Sequence, residues 1–191
     1  MTSRARRTAH DAQRTAIELV SGSVEETQVF GEQLGRLLRP GDVVALHGEL
    51  GSGKTTLIQG IARGLGRDPD VVKSPTFVLM REYPGETPLV HIDGYRLEGA
   101  PAVSWLDVDL IFSPHKITLI EWAERFEGCL PENYVDVRLA HKMTNQRKIA
   151  VVEHGPRSAE MIDALRRAVD RPLSPPGADP PSAETVHSEN P

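Results

Sequence analysis

Cysteine is almost absent: the 191-residue chain has one, Cys129. It can close no disulfide within the chain and build no cysteine-based zinc site, which fits a reducing compartment. No run approaches the ~18 apolar residues of a membrane span. Arg4, Arg6 and Arg7 are followed by no apolar core of a signal peptide, and Asp11 and Glu18, following quickly, leave a transit peptide only a weak rival reading. These absences lead to the expectation of a cytoplasmic protein with no membrane association. A strong charge of either sign is missing too. The formal net charge of −5 argues against a surface coated in basic residues, while leaving room for a local basic patch. There is no internal repeat.

What remains is enough chain for one domain with a real core. Residues 1–15 are small and polar without periodicity and read as a flexible N-terminal tail. Residues 171–191 hold six prolines and almost no large apolar side chain, so they cannot bury enough surface to offset their ordering entropy. A disordered tail is expected there, leaving 16–170 as the folded domain.

Inside that span the hydrophobic pattern alternates between strand and helix. Ala16 to Val20 reads as a strand. Ser23, with Glu26 three residues on, has the form of a capping box, and Val29, Phe30, Leu34, Leu37 and Leu38 make a helical stripe that Pro40-Gly41 closes. Asp42 to His47 is a short buried strand, and Lys54 to Leu65 a helix ended by Gly66. Phe77 to Tyr83 and Leu89 to Asp93 form a hairpin around Pro84-Gly85. A short helix over 102–112 precedes a strand at Ile117 to Glu121. Tyr134 to Ala140 and Lys148 to Glu153 make a second hairpin across Thr144-Asn145-Gln146, and Ser158 to Val169 a final helix. Strands alternating with helices but interrupted by two hairpins predict a three-layer α/β fold with a mixed, partly antiparallel sheet.

The strongest local signal is Gly48-Glu49-Leu50-Gly51-Ser52-Gly53-Lys54-Thr55, which fits G-x-x-x-x-G-K-[ST] at every fixed position, with a strand before it and a helix after it. Glycines let backbone N–H groups turn toward phosphate oxygens, and the following helix N-terminus adds a positive dipole end. Lys54 would reach the β- and γ-phosphates and the Thr55 hydroxyl would ligate Mg²⁺. The pattern predicts binding of a nucleoside triphosphate with Mg²⁺. With no Asn-Lys-x-Asp guanine signature present, ATP is favoured over GTP.

Such a site needs an acid near the metal, usually at the C-terminal end of a neighbouring strand. Asp93 ends one strand and Glu121 another. Either could hold Mg²⁺ while the other orients an attacking water. For an isolated acid, a polar residue closing a strand is the better reading; beside a phosphate loop, function is favoured. Ser74-Pro75-Thr76-Phe77 is, on its residues alone, a turn.

Four motifs in this order and spacing, GELGSGKTT, SPTF, HIDGYRL and LIEW, closely resemble the TsaE family over roughly residues 16–153. These are bacterial P-loop ATPases needed for the threonylcarbamoyl modification of adenosine in tRNA, working with TsaB and TsaD. The resemblance implies that Gly51, Ser52, Gly53, Lys54, Thr55 and Thr56 wrap the phosphates of ATP. It makes Glu121 the acid at the metal and attacking water, and Asp93 a second, Walker-B-like acid. Ser74 and Thr76 would belong to a switch-like loop whose region Trp122 helps position. Val24 to Thr27 would lie near the adenine, and Arg147 would approach the nucleotide from the last hairpin. Two departures stand out. The family's usual Asp-Leu-Gly-Ala within the loop is Glu49-Leu50-Gly51-Ser52, where mainly backbone faces the phosphates. Its usual Asp-Leu-Tyr-Arg is Asp93-Gly94-Tyr95-Arg96, and the glycine is expected to loosen the backbone after the acid.

Other residues carry less. His47, His91, His115 and His141 lie on separate elements without ligand spacing and read as structural or surface histidines. Cys129 has no base nearby in sequence, and Trp105 reads as core. Arg166, Arg167 and Arg171 make the last helix basic, ordinarily a solvated face, though tRNA or a partner could use it. Two functions compete with the partner-dependent ATPase: a small-molecule kinase using Asp93 as base, and a non-catalytic nucleotide-gated binding module. The absence of an arginine-rich lid and of a separate acceptor domain favours the ATPase.

Overall fold

The computed structural model describes residues 15–97, 107–126, 128–143 and 145–170. Residues 1–14 of the expected N-terminal tail, the expected C-terminal tail with Arg171, the first part of the expected 102–112 helix and Trp105 lie outside the described residues, as does Thr144 of the second turn; Thr15, expected in the tail, opens the first strand.

Seven strands form one sheet: β1 (Thr15–Ser21), β2 (Val43–His47), β3 (Met80–Tyr83), β4 (Leu89–Asp93), β5 (Ile117–Glu121), β6 (Tyr134–Met143) and β7 (Gln146–His154). Their order is β1-β7-β6-β2-β5-β4-β3. The central four, β6-β2-β5-β4, run parallel, and the outer strands β7 and β3 and the edge β1 are antiparallel to their neighbours. The mixed sheet follows from the two hairpins, β3–β4 and β6–β7, because a short turn can only reverse a strand. Central strands covered on both faces should be almost continuously apolar; Val43–Leu46 and Ile117–Ile120 are buried accordingly, with Thr118 donating its hydroxyl to the Ile111 carbonyl at 2.6 Å.

The helices α1 (Val24–Gly35), α2 (Lys54–Gly64) and α4 (Pro156–Val169) cover one face. Phe30, Leu34, Leu57, Ile58, Ile61, Ile162 and Leu165 meet Val44, Leu46, Leu119, Val137 and Ile149 there in the main core. The other face carries a thinner layer among the described residues. A one-turn helix α3 (Val108–Ile111) and a 3₁₀ turn at Ala123–Phe126 supply Ile111, Ala123 and Phe126 against Val43, Ala45, Val90, Ile92 and Ile120.

Ser23 caps α1 by accepting the Glu26 N–H at 3.1 Å, and the Glu26 carboxylate takes the Gly22 N–H at 2.6 Å. Three expectations shift. α1 stops at Gly35, well before Pro40-Gly41, and Val29 of the expected stripe is exposed. The face α1 turns to α2 is made by Gly31 and Gly35, which sit against Gly60 and Gly64. A Cβ on any of these four would fall 2.2–2.4 Å from a carbonyl oxygen of the opposite helix. Finally, β3 begins at Met80: Phe77, Val78 and Leu79 lie in a turn, where the Pro75 carbonyl accepts the N–H groups of Val78 and Leu79.

Candidate nucleotide site

The site lies where the parallel strands end at their carboxyl termini, the edge at which open α/β sheets hold ligands. β2 runs into the loop Gly48–Gly53, and α2 starts at Lys54. Gly48, Gly51 and Gly53 all take positive φ (145°, 76° and 103°), which side chains resist. At Gly48 a Cβ would come 2.3 Å from the Leu139 carbonyl oxygen, so this glycine also lets the loop press against β6. Gly53 caps α2 without a side-chain bond, and the first turn of α2 carries no acid. The first-turn N–H groups are therefore left for an outside acceptor, the arrangement that suits a phosphate. Ser52 Oγ, in the same loop, is buried without a partner among the described residues.

Lys54 is folded back onto this loop. Its Nζ donates to the carbonyls of Gly48 at 2.6 Å and Glu49 at 3.0 Å and lies 4.0 Å from the Trp122 ring centroid. Burial pushes its pKa below the ordinary lysine value, while the nearby Glu121, Glu124 and Asp93 carboxylates pull the other way. Trp122 holds its ring there from a left-handed backbone (φ 58°) and packs on Tyr95 at 5.1 Å. A non-glycine residue at such φ is costly and is kept only where its surroundings enforce it.

The two acids are neighbours. β4 and β5 pair in parallel with Asp93 opposite Glu121. Both are buried, and they have different partners. Glu121 Oε1 accepts from Thr55 Oγ1 at 2.8 Å, across from α2, and lies 3.0 Å from His91 Nε2. Asp93 Oδ2 accepts from Thr76 Oγ1 at 2.6 Å and from Ser74 Oγ; Oδ1 accepts the Tyr95 N–H at 2.9 Å. Gly94, expected to loosen this segment, is confined: its N–H donates to the Glu121 carbonyl at 2.9 Å, and a Cβ would fall 2.8 Å from Phe126 Cε2.

A cleft of about 390 Å³ opens between these parts, lined among others by Gly51, Gly53, Lys54, Thr55, Thr56, Ser74, Thr76, Asp93, Glu121 and Trp122. Most of the residues singled out from the sequence thus meet in one place. Val24, Thr27, Ser52 and Arg147 do not line it. Thr27 is fully buried, and Arg147 reaches across to it: its Nη1 donates to Thr27 Oγ1 at 2.8 Å and to the Ser23 carbonyl at 3.4 Å, while its side chain lies against Gly53. Arg147 ties the start of α1 to the phosphate loop. Sequence reasoning overlooked Tyr95, which lines the cleft, and set His91 aside, although His91 touches Glu121.

Residues 21–149 match the family model described as threonylcarbamoyl adenosine biosynthesis protein TsaE. The chain belongs to the TsaE family. It is 35% identical to the TsaE protein of Bacillus subtilis over 144 residues, covering 75% of this chain and 89% of that one. With the Treponema pallidum TsaE it shares 37% identity over 132 residues, 69% of this chain and 97% of that one. The Streptomyces coelicolor TsaE is 43% identical over 114 residues, 58% and 76% of the two chains. The fold of this chain resembles the crystal structure of Bacillus subtilis YdiB with a TM-score of 0.68 at 30% identity, covering 80% of this chain and 95% of that chain. Nucleotide binding fits both the TsaE family and the P-loop fold. Among the described residues of this TsaE chain, no helix is long and apolar enough to cross a membrane, and no cluster of three or more His, Cys, Asp or Glu could by itself hold a metal ion. A cation here would need the Thr55 hydroxyl and phosphate oxygens besides the two acids, which suits hard Mg²⁺ with its preference for oxygen.

Proposed function

We propose that this chain is a Mg²⁺-dependent ATPase that supports formation of the threonylcarbamoyl modification of adenosine in tRNA, acting in the cytoplasm with a TsaB–TsaD partner complex. Residues 16–170 form its P-loop domain in this reading. One observation carries the proposal: the Thr55–Glu121 hydrogen bond of 2.8 Å joins the first turn of α2 to the end of β5, with Asp93 in register beside it. A hydroxyl and two carboxylates meet at the mouth of a glycine loop that leads into the first turn of α2, which no side chain caps.

Bound Mg·ATP supplies a γ-phosphoryl group whose departure to water requires neutralised charge and a placed nucleophile. The chain's own groups meet those needs. Gly51 to Thr56 offer backbone N–H groups and the α2 dipole to the phosphates, and Lys54 brings a cation already held in the loop. Thr55 and Asp93 would supply oxygen ligands to Mg²⁺, with Glu121 beside it. Glu121, with one oxygen tied by Thr55, keeps the other to orient a water and accept its proton. Trp122 excludes water on the Lys54 side. Ser74 and Thr76 act as a switch-like loop that reports the state of Asp93.

Reconstitution with TsaB, TsaD and tRNA, scored for modified adenosine and released phosphate, tests this. Glu121→Ala should keep ATP binding and lose hydrolysis on the order of 10²-fold or more, as removal of a general base does, with parallel loss of modified adenosine. The proposal fails if omitting this protein changes nothing, or if phosphate appears on a small acceptor instead. It also fails if Lys54→Ala abolishes modification while Glu121→Ala leaves it intact, because that pattern belongs to a binding module.

A further inference from the structure

The geometry points to His91 as a positioning residue that sets the direction of the Glu121 carboxylate. His91 is the middle residue of β4, where Leu89, Val90 and Ile92 are apolar and every residue is buried. It is itself 0% exposed. A strand buried on both faces has no need of an imidazole, and burying one whose second nitrogen goes unpaired costs stability. That cost is present here: Nδ1 has no partner among the described residues. The ring's one hydrogen bond among the described residues joins Nε2 to Glu121 Oε1 at 3.0 Å.

Alternation along the strands explains how the two meet. Leu89, His91 and Asp93 of β4 share a face with Ile117, Leu119 and Glu121 of β5, the face that α2 covers. His91 lies opposite Leu119, one step below Glu121, so its ring reaches up to the carboxylate from beneath while Thr55 reaches it from α2. An ionised carboxylate only accepts, so Nε2 carries the proton of this bond. Two donors on Oε1, from a strand and from a helix, fix the plane of the group. Among the described residues Oε2 accepts no hydrogen bond. A glutamate has three side-chain torsions; without His91 the Thr55 hydroxyl alone would hold it, and that hydroxyl is itself claimed by the nucleotide site. Partners that orient a site carboxylate in this way typically change affinity or activity by about 10–100-fold when removed.

The inference rests on the reading of Glu121 given above, and the experiment separates the two. His91→Leu keeps the volume nearly constant and removes the unpaired nitrogen; His91→Gln keeps an N–H at the reach of Nε2. Thermal melting of the nucleotide-free protein should place His91→Leu at or above wild type. Its kcat for ATP should fall about 10-fold or more with KM little changed, and His91→Gln should recover most of that loss. In ¹⁵N-histidine spectra of the nucleotide-free protein, the signal assigned through its disappearance in His91→Gln should show the Nε2–H tautomer and should shift in Glu121→Ala. Wild-type kcat in His91→Leu, equal loss in His91→Gln, or a tautomer signal indifferent to Glu121→Ala would each overturn the inference. If Glu121→Ala itself hydrolyses ATP normally, the reading of Glu121 falls. If Glu121→Ala is inactive and His91→Leu is not, only the role of His91 falls.

Discussion

Gly60→Ala sets two known effects against each other, and the structure decides between them. Alanine in a helix interior is favoured over glycine by about 1 kcal/mol, so α2 viewed alone should gain. Yet the new Cβ would stand 2.2 Å from the Gln28 carbonyl oxygen and 2.8 Å from its Cα, both backbone atoms of α1. Carbon in ordinary contact needs roughly 3.5 Å, so the helices must part by about 1 Å. No rotamer change relieves a clash with backbone. A gap of that size forfeits a quarter to a half of each dispersion contact across the seam, and forced overpacking costs about 1–3 kcal/mol. Taking the upper end because both sides are rigid, and subtracting the propensity gain, leaves a net loss of about 2 kcal/mol. For a chain of this size that lowers Tm by about 4–8 °C. Urea unfolding followed by far-UV circular dichroism, with ΔG and m compared to wild type, measures it. A variant more stable by about 1 kcal/mol, as propensity alone predicts, would refute the argument that backbone contact at Gly31, Gly35, Gly60 and Gly64 sets the distance between α1 and α2.

Lys54→Met tests the buried charge by its pH dependence. Burial lowers the folded pKa of Lys54 below the ordinary lysine value. Between those two values the unfolded chain binds the extra proton, so wild-type stability rises with pH across that window relative to Lys54→Met. Paired melting curves over the alkaline range check the sign, and a wild type that loses ground there would contradict it. Gly94→Leu, which restores the residue usual in TsaE relatives, should destabilise this chain by about 1–3 kcal/mol, because the space beside Gly94 is filled by Phe126 and the Trp122 carbonyl. A chemical denaturation midpoint equal to wild type would show that Phe126 yields easily. Arg147→Ala removes the bridge from Thr27 to the phosphate loop and leaves Thr27 without that donor. It should weaken ATP binding measured by calorimetry and lower Tm together; a fall in affinity with Tm unchanged would mean that Arg147 acts on the nucleotide and not through α1.

Most of the fold was legible because it rests on signals that side chains carry. The buried runs at Val43–Leu46 and Ile117–Ile120, the capped start at Ser23 and the two hairpins all announced themselves by apolar period or turn chemistry. The seam between α1 and α2 did not, because glycine has no side chain to count. An apolar stripe therefore placed Val29 inside, whereas the face that matters is made of Gly31 and Gly35. Phe77 to Leu79 misled in the opposite sense. Three apolar residues read as strand, but the N–H groups of Val78 and Leu79 are spent on the Pro75 carbonyl and Leu79 adopts φ 66°, so the Leu79 carbonyl meets the Asp93 N–H at 2.9 Å but regular pairing starts only at Met80. Phe77 is left 85% exposed. The phosphate loop and both acids could be located from motif and strand ends alone. What spacing could not give was which hydroxyl meets which carboxylate, since this depends on a helix start and a loop approaching from 66 and 17 residues away in sequence. A signal for His91 was present: a polar residue in the middle of an otherwise apolar strand, two places before an acid.

The partners of the two acids also bear on how they divide the work. Glu121 is held by Thr55 on α2 and His91 on β4, both on elements packed into the main core. Asp93 has its Oδ1 on the Tyr95 N–H, but its Oδ2 is held by Ser74 and Thr76, which lie on a segment without strand pairing whose next residues, Phe77 and Val78, face solvent. A carboxylate gripped by rigid elements keeps its direction when charge enters the cleft. One gripped by loop hydroxyls loses those partners when its oxygen is claimed elsewhere, and the loop then moves. In the proposed ATPase, Glu121 is accordingly the residue suited to placing a water, where small errors in angle are costly, and Asp93 the one suited to signalling that the site is filled. The exposed Phe77 and Val78 would carry that signal outward, because a loop held by two hydrogen bonds to Asp93 repositions them when those bonds exchange.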